Sequence, residues 1–222
     1  MNIFKLHNIS FSYSGGSTVF ENIDLDISKK DLIIIQGESG SGKSTFLKLF
    51  NRFCSTFEGR LLFHEKEIRE YGIERIRSSV IYLPQLPFMI HGTVRDNLSF
   101  PFTFHSHKGK EFDSQKAGEW LEYFQLDIPF ERDALQLSIG QKQRIALIRS
   151  ILLEPEVLLL DEPGSALDSK NKKLIEQKIE ALIDSAGITV IMATHSEVSF
   201  TDSWVRFLNL DNRTLTEKKI GD

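Results

Sequence analysis

The sequence lacks several features that mark particular classes of protein. It contains a single cysteine, Cys54, so no intramolecular disulfide can form and nothing indicates an oxidising compartment. No apolar run reaches the roughly 18 residues that a membrane-spanning helix needs. The first residues, MNIFKLHNISFSY, lack the charged-then-apolar layout of a secretory signal. We therefore expect a cytoplasmic chain that reaches a membrane only through another polypeptide.

The chain also lacks an excess of basic residues. Its formal net charge is -4 over 222 residues, which provides no positive field to attract DNA or RNA, and we predict no nucleic-acid partner. The hydrophobic share of 41% is sufficient for a sizeable core. No internal repeat, low-complexity tract or linker divides the chain. We therefore predict a single domain over residues 1–222.

The apolar pattern predicts an α/β fold. Residues 2–35 have the alternation of antiparallel, half-buried strands, with a glycine pair at 15 and 16 as the turn between two of them. Short continuous apolar runs follow, which is typical of buried parallel strands, and they cover residues 32–35, 157–161 and 188–194. Helical spacing is predicted over 43–53 and 170–186. Strands that alternate with helices imply a mostly parallel sheet.

The middle of the chain has a different pattern. Residues 86–154 contain helix signals at 93–100, 114–126 and 141–153, and no obvious strand. We interpret this section as a helical lobe inserted into the α/β core. The core and the N-terminal β lobe are then expected at about residues 1–85 and 155–222.

A glycine-rich loop lies between the first predicted parallel strand and the helix after it. The sequence GESGSGKS fits the pattern GxxxxGK[ST] in the strand–loop–helix context that a phosphate loop requires. Glycines let successive amides turn toward phosphate oxygens, and the helix N-terminus adds partial positive charge. Many unrelated NTPases share this loop. The predicted nucleotide contacts are Gly37, Glu38, Ser39, Gly40, Ser41, Gly42, Lys43, Ser44 and Thr45.

Two of these residues have expected roles in phosphoryl chemistry. Lys43 is expected to reach the β- and γ-phosphates of ATP, and the Ser44 hydroxyl is expected to bind Mg²⁺. Asp161 and Glu162 follow the predicted strand VLLLD, and ligands bind at the carboxyl ends of parallel strands. We predict Asp161 as the acid on the metal side and Glu162 as the general base. The alternative is that two acids merely end a strand.

The segment Leu137–Pro155, LSIGQKQRIALIRSILLEP, resembles the signature of ABC ATPases, which is usually LSGGQ followed by a basic helix. Further motifs of that family follow in the expected order. The resemblance implies that adenine stacks on Tyr13 and that Gln85 joins Mg²⁺ and the attacking water to the helical lobe. It also implies that His195 senses the γ-phosphate and that residues 165–168 cross a dimer interface.

The same resemblance implies a fold and an assembly. The fold is a P-loop NTPase core with a mostly parallel sheet, an N-terminal antiparallel β subdomain and an inserted helical subdomain. The assembly is a head-to-tail homodimer in which ATP and Mg²⁺ lie between one copy's phosphate loop and Ser138, Gly140 and Gln141 of the other copy.

Two positions depart from the family pattern. Ile139 replaces a glycine of the signature, and Gly164 stands where a larger residue is usual. Because a β-branched residue strongly disfavours positive φ, Ile139 requires either an ordinary backbone conformation or a strained one. We regard the change at Gly164 as minor.

The segment FMIHGTVRDNL, residues 88–98, is similar to the pattern after the glutamine loop of exporter-type ATPases. The chain looks most like the ATP-binding subunit of bacterial iron-export ABC systems. The resemblance implies an ATPase that drives a separate multi-span membrane subunit and lies peripherally on the inner face of the membrane. The alternative is a soluble ABC ATPase that acts on a macromolecular or cofactor-assembly complex.

Two clusters in this middle section are open to a functional or a structural interpretation. One set of aromatic residues either lines a groove for a partner's cytoplasmic helix or packs inside the lobe, namely Phe88, Phe100, Phe102 and Phe104. His105 and His107 lie in a polar loop, where we expect them to be solvated rather than to bind a metal.

Overall fold

The computed structural model describes residues 1–55, 57–200 and 204–218. Over these residues the chain forms a four-stranded antiparallel sheet and a six-stranded, mostly parallel sheet, with helices around them. The strands are β1 (Asn2–Ser12), β2 (Thr18–Ser28), β3 (Leu32–Gln36), β4 (Glu58–Phe63), β5 (Lys66–Glu67), β6 (Val80–Leu83), β7 (Val157–Asp161), β8 (Thr189–Ala193), β9 (Arg206–Asp211) and β10 (Thr214–Lys218). The helices are α1 (Lys43–Phe50), α2 (Ile73–Ser79), α3 (Val94–Ser99), α4 (Ser114–Tyr123), α5 (Ile139–Ile151) and α6 (Ser169–Ala186). The predicted α/β fold is confirmed.

The antiparallel sheet has the strand order β2-β1-β4-β5. Its apolar residues do not alternate strictly, because Phe20 and Ile23 are three positions apart and yet both are buried. A register shift in the β1–β2 ladder and the positive φ of 53° at Asn22 accommodate the extra residue. The bulge therefore keeps the apolar side chains of β2 on one face.

The larger sheet has the order β10-β9-β3-β8-β7-β6, and β3, β8, β7 and β6 run parallel. Successive residues of β3 belong to different cores: Ile34 packs with the helical lobe and α6, whereas Ile33 and Ile35 pack with α1 and the antiparallel sheet. A strand that is buried on both faces has no polar face, which explains its continuous apolar run. The three predicted parallel strands are confirmed as β3, β7 and β8.

Residues 86–154 contain α3, α4 and α5 and no strand. Their helices differ from the predicted spans at the ends. Helix α4 ends at Tyr123 because Gln125 has a φ of 53°, which a helix cannot continue. Helix α5 begins at Ile139, two residues earlier than predicted, because Ser138 caps it. Among the described residues, no helix is both long and apolar enough to cross a membrane.

Candidate nucleotide and magnesium site

The phosphate loop connects β3 to α1, and two of its glycines cannot carry a side chain. A Cβ at Gly37 would lie 2.3 Å from the carbonyl oxygen of Leu210, and a Cβ at Gly42 would lie 2.5 Å from Val19 Cγ1. Gly42 also has a φ of 101° and precedes α1 without any side-chain cap. The first amides of α1 therefore remain available to an anion.

Lys43 is buried in this loop, with an exposed fraction of 5%. Its Nζ donates hydrogen bonds to the carbonyl oxygens of Gly37 at 2.8 Å and Glu38 at 2.7 Å. Burial lowers the pKa of Lys43, and the carboxylates of Glu162 and Asp161 oppose this effect. The ammonium group is thus held across the loop, between its carbonyl oxygens and the two acids at the end of β7.

A second polar group of the loop is buried as well. The Ser41 hydroxyl has no hydrogen-bond partner among the described residues. A buried hydroxyl without a partner is costly, so this donor fits a loop that binds an anion. Together with the free amides of α1, it makes the loop suitable for phosphate groups.

Asp161 lies at the end of β7 with an exposed fraction of 5%. Its Oδ1 accepts a hydrogen bond from Ser44 Oγ at 3.0 Å, and its Oδ2 accepts one from Tyr82 Oη at 2.6 Å. Hydroxyl and carboxylate oxygens are the hard ligands that Mg²⁺ prefers. The structure therefore places two of the three predicted metal residues, Ser44 and Asp161, together, and these two residues fit this cation.

Sequence reasoning missed Tyr82. It lies on β6, whose short run VIYL was not predicted as a strand, and the pairing of β6 with β7 brings it next to Asp161. Burial and then the hydrogen bond to Asp161 raise the pKa of Tyr82, so the phenol remains a donor at neutral pH. The pattern IYLPQ contains no local signal for this contact.

The three predicted catalytic residues meet at one carboxylate. Glu162 Oε1 lies 2.7 Å from His195 Nδ1, and Glu162 Oε2 accepts a hydrogen bond from Gln85 Nε2 at 3.0 Å. Gln85 Nε2 also donates to Ser165 Oγ at 3.2 Å. No hydrogen bond in the described part of the chain joins Gln85 to Asp161 or Ser44, so its role as a metal contact stays a prediction.

Tyr13 lies beside the first turn of α1. Its hydroxyl is 2.8 Å from Thr45 Oγ1, its ring packs edge-on against Phe11, and 52% of the residue is exposed. An exposed aromatic ring next to a phosphate loop suits the stacking of a nucleotide base. The contact with Thr45 links two of the predicted nucleotide residues.

The predicted signature residues form the start of α5. Ser138 Oγ accepts from the amide of Gln141 at 3.3 Å, and Gln141 Oε1 accepts from the amide of Ser138 at 2.9 Å, which makes a capping box. Ile139 is the first helical residue, does not have positive φ, and is 55% exposed. The isoleucine is therefore accommodated by an ordinary helical backbone, and the strained alternative is wrong.

The signature and the phosphate loop of the same chain have different partners. No hydrogen bond between described residues joins Ser138, Gly140 or Gln141 to residues 37–45. Instead, a Cβ at Gly140 would lie 3.1 Å from Leu167 Cδ2, so this end of α5 packs against the segment that follows Glu162.

A model of the ABC transporter family matches residues 20–165, about two thirds of the chain. The chain belongs to the ABC transporter family. The prediction that was based on the signature and its neighbouring motifs is confirmed.

The chain is similar to several ABC proteins. It is 35% identical over 193 residues to ABC transporter I family member 17 of Arabidopsis thaliana, covering 86% of this chain and 72% of that protein. It is 34% identical over 196 residues to the probable iron export ATP-binding protein FetA of Escherichia coli, covering 88% and 85%. It is 35% identical over 196 residues to the sulfate/thiosulfate import ATP-binding protein CysA of Yersinia pestis, covering 87% and 53%, so the chain spans about half of that relative.

Solved structures of the ABC family have the same fold. A dimeric ATP-binding cassette, MJ0796 bound to ADP and Pi, has a TM-score of 0.83 at 27% identity and covers 99% of this chain and 99% of that one. The structure of cbiO1 from Clostridium perfringens has a TM-score of 0.83 at 26% identity and covers 97% and 87%. The chain is an ABC ATPase.

The structure explains the second departure from the ABC pattern. A Cβ at Gly164 would lie 2.9 Å from Lys172 Cγ, and Lys172 Nζ donates to Ser196 Oγ at 2.9 Å and to the carbonyl oxygen of Glu197. The glycine therefore leaves space for a lysine that ties the start of α6 to the residues after His195.

The aromatic and histidine clusters of the helical lobe were each open to a functional or a structural interpretation, and the structure supports a different one for different residues. Phe102 packs against the core, whereas Phe88 and Phe104 are exposed. His105 is exposed as expected, but the expectation for His107 is wrong, since it is buried and its pKa is lowered by burial. The described residues contain no group of three or more His, Cys, Asp or Glu that could hold a metal ion.

Proposed function

We propose that this chain is the ATP-hydrolysing motor subunit of an ABC transporter, with Mg²⁺ as its cofactor. The observation that carries the proposal is the junction of Glu162 with His195 and Gln85, directly beside the Asp161–Ser44 pair. This junction combines a candidate base, its hydrogen-bonded partners and a metal site at one edge of the sheet.

The residues of the site divide the chemistry among them. Glu162 orients the attacking water and accepts its proton, and His195 and Gln85 hold that carboxylate. Lys43 and the amides of α1 bind the phosphates. Bound Mg²⁺ would be held by Ser44, with Asp161 behind it, and would neutralise charge on the β- and γ-phosphates.

The proposed active form is a homodimer. The start of α5 is unpaired with the phosphate loop of its own chain, and Ser138 and Ile139 are exposed there. In a head-to-tail dimer, the backbone amides at the start of α5 of one copy would lie at the γ-phosphate bound by the other copy. A solved structure with which this chain aligns over 99% of its length is a dimer.

The proposed partner is a multi-span membrane subunit, which would hold the chain on the inner, cytoplasmic face of the membrane. Exposed apolar side chains support a docking surface there: Leu86 is 73% exposed, Phe88 67% and Phe104 47%. The relatives include export and import proteins, so transport of iron outward is one of several possibilities. We propose no nucleic-acid partner.

The Glu162→Gln variant tests the hydrolytic site. The amide keeps the shape of the side chain but cannot accept a proton, so turnover should fall at least 100-fold while ATP still binds. An ATP-dependent dimer should then accumulate and be seen by size-exclusion chromatography.

Glu156→Gln is a matched control. Glu156 Oε2 also pairs with a histidine, His64 Nε2, at 2.7 Å, but at the start of β7 rather than at its end. This variant should retain ATP turnover. Near-normal hydrolysis by Glu162→Gln, or an equal loss in both variants, would contradict the proposed site.

A further inference from the structure

Both oxygens of the Asp161 carboxylate accept hydrogen bonds from hydroxyl groups, but the two donors differ in kind. Ser44, 3.0 Å from Oδ1, is itself a proposed Mg²⁺ ligand, so its oxygen would bind the cation while its proton is donated to Asp161. Tyr82, 2.6 Å from Oδ2, lies on the other side of the carboxylate and has no role in the proposed ATP or Mg²⁺ contacts. Its bond can therefore persist in every state of the site.

The position of Tyr82 is rigid. Strand β6 pairs in parallel with β7, and Tyr82 lies opposite Leu159, two residues before Asp161. The ring is half-buried, packs edge-on against Phe53 and has Lys48 Nζ 5.9 Å from its centroid. The phenol hydroxyl is thereby held where it donates to Asp161 Oδ2.

We propose that Tyr82 is a positioning residue, which fixes the Asp161 carboxylate by its Oδ2 so that Oδ1 stays directed at Ser44 and the cation. This inference rests on the proposed magnesium site. A carboxylate that is already oriented loses little freedom when the metal binds, and partners of this kind typically change metal affinity 10- to 100-fold when they are removed.

The Tyr82→Phe variant removes the hydroxyl and keeps the ring. It is best tested in the Glu162→Gln background, where ATP persists. Mn²⁺ binding to the protein–ATP complex, followed by electron paramagnetic resonance, should be weakened about 10-fold. ATP binding in excess EDTA, measured by calorimetry, should be unchanged, because the tyrosine acts on the cation alone.

Tyr71→Phe is the matched control. Tyr71 is also half-buried, and its hydroxyl donates to the carbonyl oxygen of Phe63 at 2.9 Å. Thermal unfolding should show a similar small loss of stability in both variants, while only Tyr82→Phe should change Mn²⁺ affinity. An equal loss of Mn²⁺ affinity in both would reduce Tyr82 to a purely structural residue and overturn the inference.

A double-mutant cycle with Asp161→Asn separates this inference from the proposed site. If Tyr82 acts through Asp161, Tyr82→Phe should cause no further loss of Mn²⁺ affinity once Asp161 is asparagine. Unchanged Mn²⁺ affinity in Asp161→Asn alone would overturn the magnesium site itself. A clear loss in Asp161→Asn combined with none in Tyr82→Phe would overturn only the role of Tyr82.

Discussion

Neighbouring acids at the end of β7 serve different parts of the site because the backbone turns between them. Asp161 is the last residue of the strand and faces Ser44 and Tyr82. Glu162 has a φ of 49°, and its amide donates to the carbonyl oxygen of Ala193 at 2.9 Å. A left-handed conformation of a non-glycine residue costs about 1–2 kcal/mol. That cost is consistent with a residue whose direction matters for function.

At the residue scale, we predict that Ile139→Gly weakens ATP-dependent dimerisation about two- to fivefold. Ile139 already has helical backbone, so glycine relieves no strain and adds flexibility to the first turn of α5, which costs about 0.5–1 kcal/mol. The dimer dissociation constant in the Glu162→Gln background, measured by analytical ultracentrifugation, checks this. Ile139→Ala removes the same apolar atoms but favours the helix, and should dimerise at least as well as Ile139→Gly. A tighter dimer with glycine would show that the isoleucine side chain itself opposes closure.

At the scale of elements, α5 connects two surfaces of the helical lobe. It begins at the exposed signature residue Ser138, and Arg149 in its last turn donates to the carbonyl oxygen of Phe88 at 2.9 Å. Burial lowers the pKa of Arg149, although an arginine stays charged. A helix is stiff over this length, so we expect a displacement of the signature end to reach the segment that carries the exposed Leu86 and Phe88.

A second connection between elements gives a prediction about Gly164. The Gly164→Ala variant should displace the Lys172 side chain, loosen its bond to Ser196 and lower turnover several-fold, because the residues after His195 lose a tether. Since the displaced group is a flexible stem, the free energy of unfolding should fall by no more than about 1 kcal/mol. Steady-state ATPase assays and thermal unfolding measure the two effects.

Two further variants control that experiment. Lys172→Met removes the tether directly, and combining it with Gly164→Ala should add little further loss. Gly118→Ala lies in α4 with open space around the new Cβ, so it should leave turnover unchanged and stabilise the helix. Full turnover in Gly164→Ala would show that the tether does not contribute to catalysis.

At the scale of the whole molecule, the fold brings distant segments to one edge of the larger sheet. The carboxyl ends of β3, β7, β8 and β6 lead to the phosphate loop, Asp161, His195 and Gln85, respectively. The signature lies elsewhere, at the start of α5. One chain therefore holds the proposed hydrolytic site and, apart from it, the surface that is proposed to complete the site of a second copy.

We accordingly expect the isolated chain to be mainly monomeric without nucleotide and to hydrolyse ATP slowly and with weak cooperativity. Sedimentation with and without ATP in the Glu162→Gln background measures the assembly, and ATPase assays measure turnover. Addition of DNA should have no effect, whereas a cognate membrane subunit should stimulate hydrolysis. Stimulation by DNA with none by a membrane subunit would favour the alternative of an ATPase acting on a macromolecular complex.

Local patterns were sufficient to predict the family and most of the candidate site. The phosphate loop, the acids at the end of β7 and the signature are each a short continuous segment of sequence, so a few neighbouring residues are enough to predict their chemistry. The buried strands β3, β7 and β8 were predictable because a strand buried on both faces must be apolar throughout. The N-terminal strands were predictable from their alternation, although the bulge at Asn22 was not.

Only the tertiary structure showed the contacts between segments that are distant in sequence. Tyr82 reaches Asp161 through the β6–β7 pairing, Lys172 fills the space left by Gly164, and His107 is buried in a loop of polar composition. Which strands pair, and which polar side chains become buried, depend on packing across the whole chain, and a local pattern does not specify these contacts. The sequence by itself therefore determined which chemistry this protein performs, and the tertiary structure decided which side chains contact the residues of the candidate site.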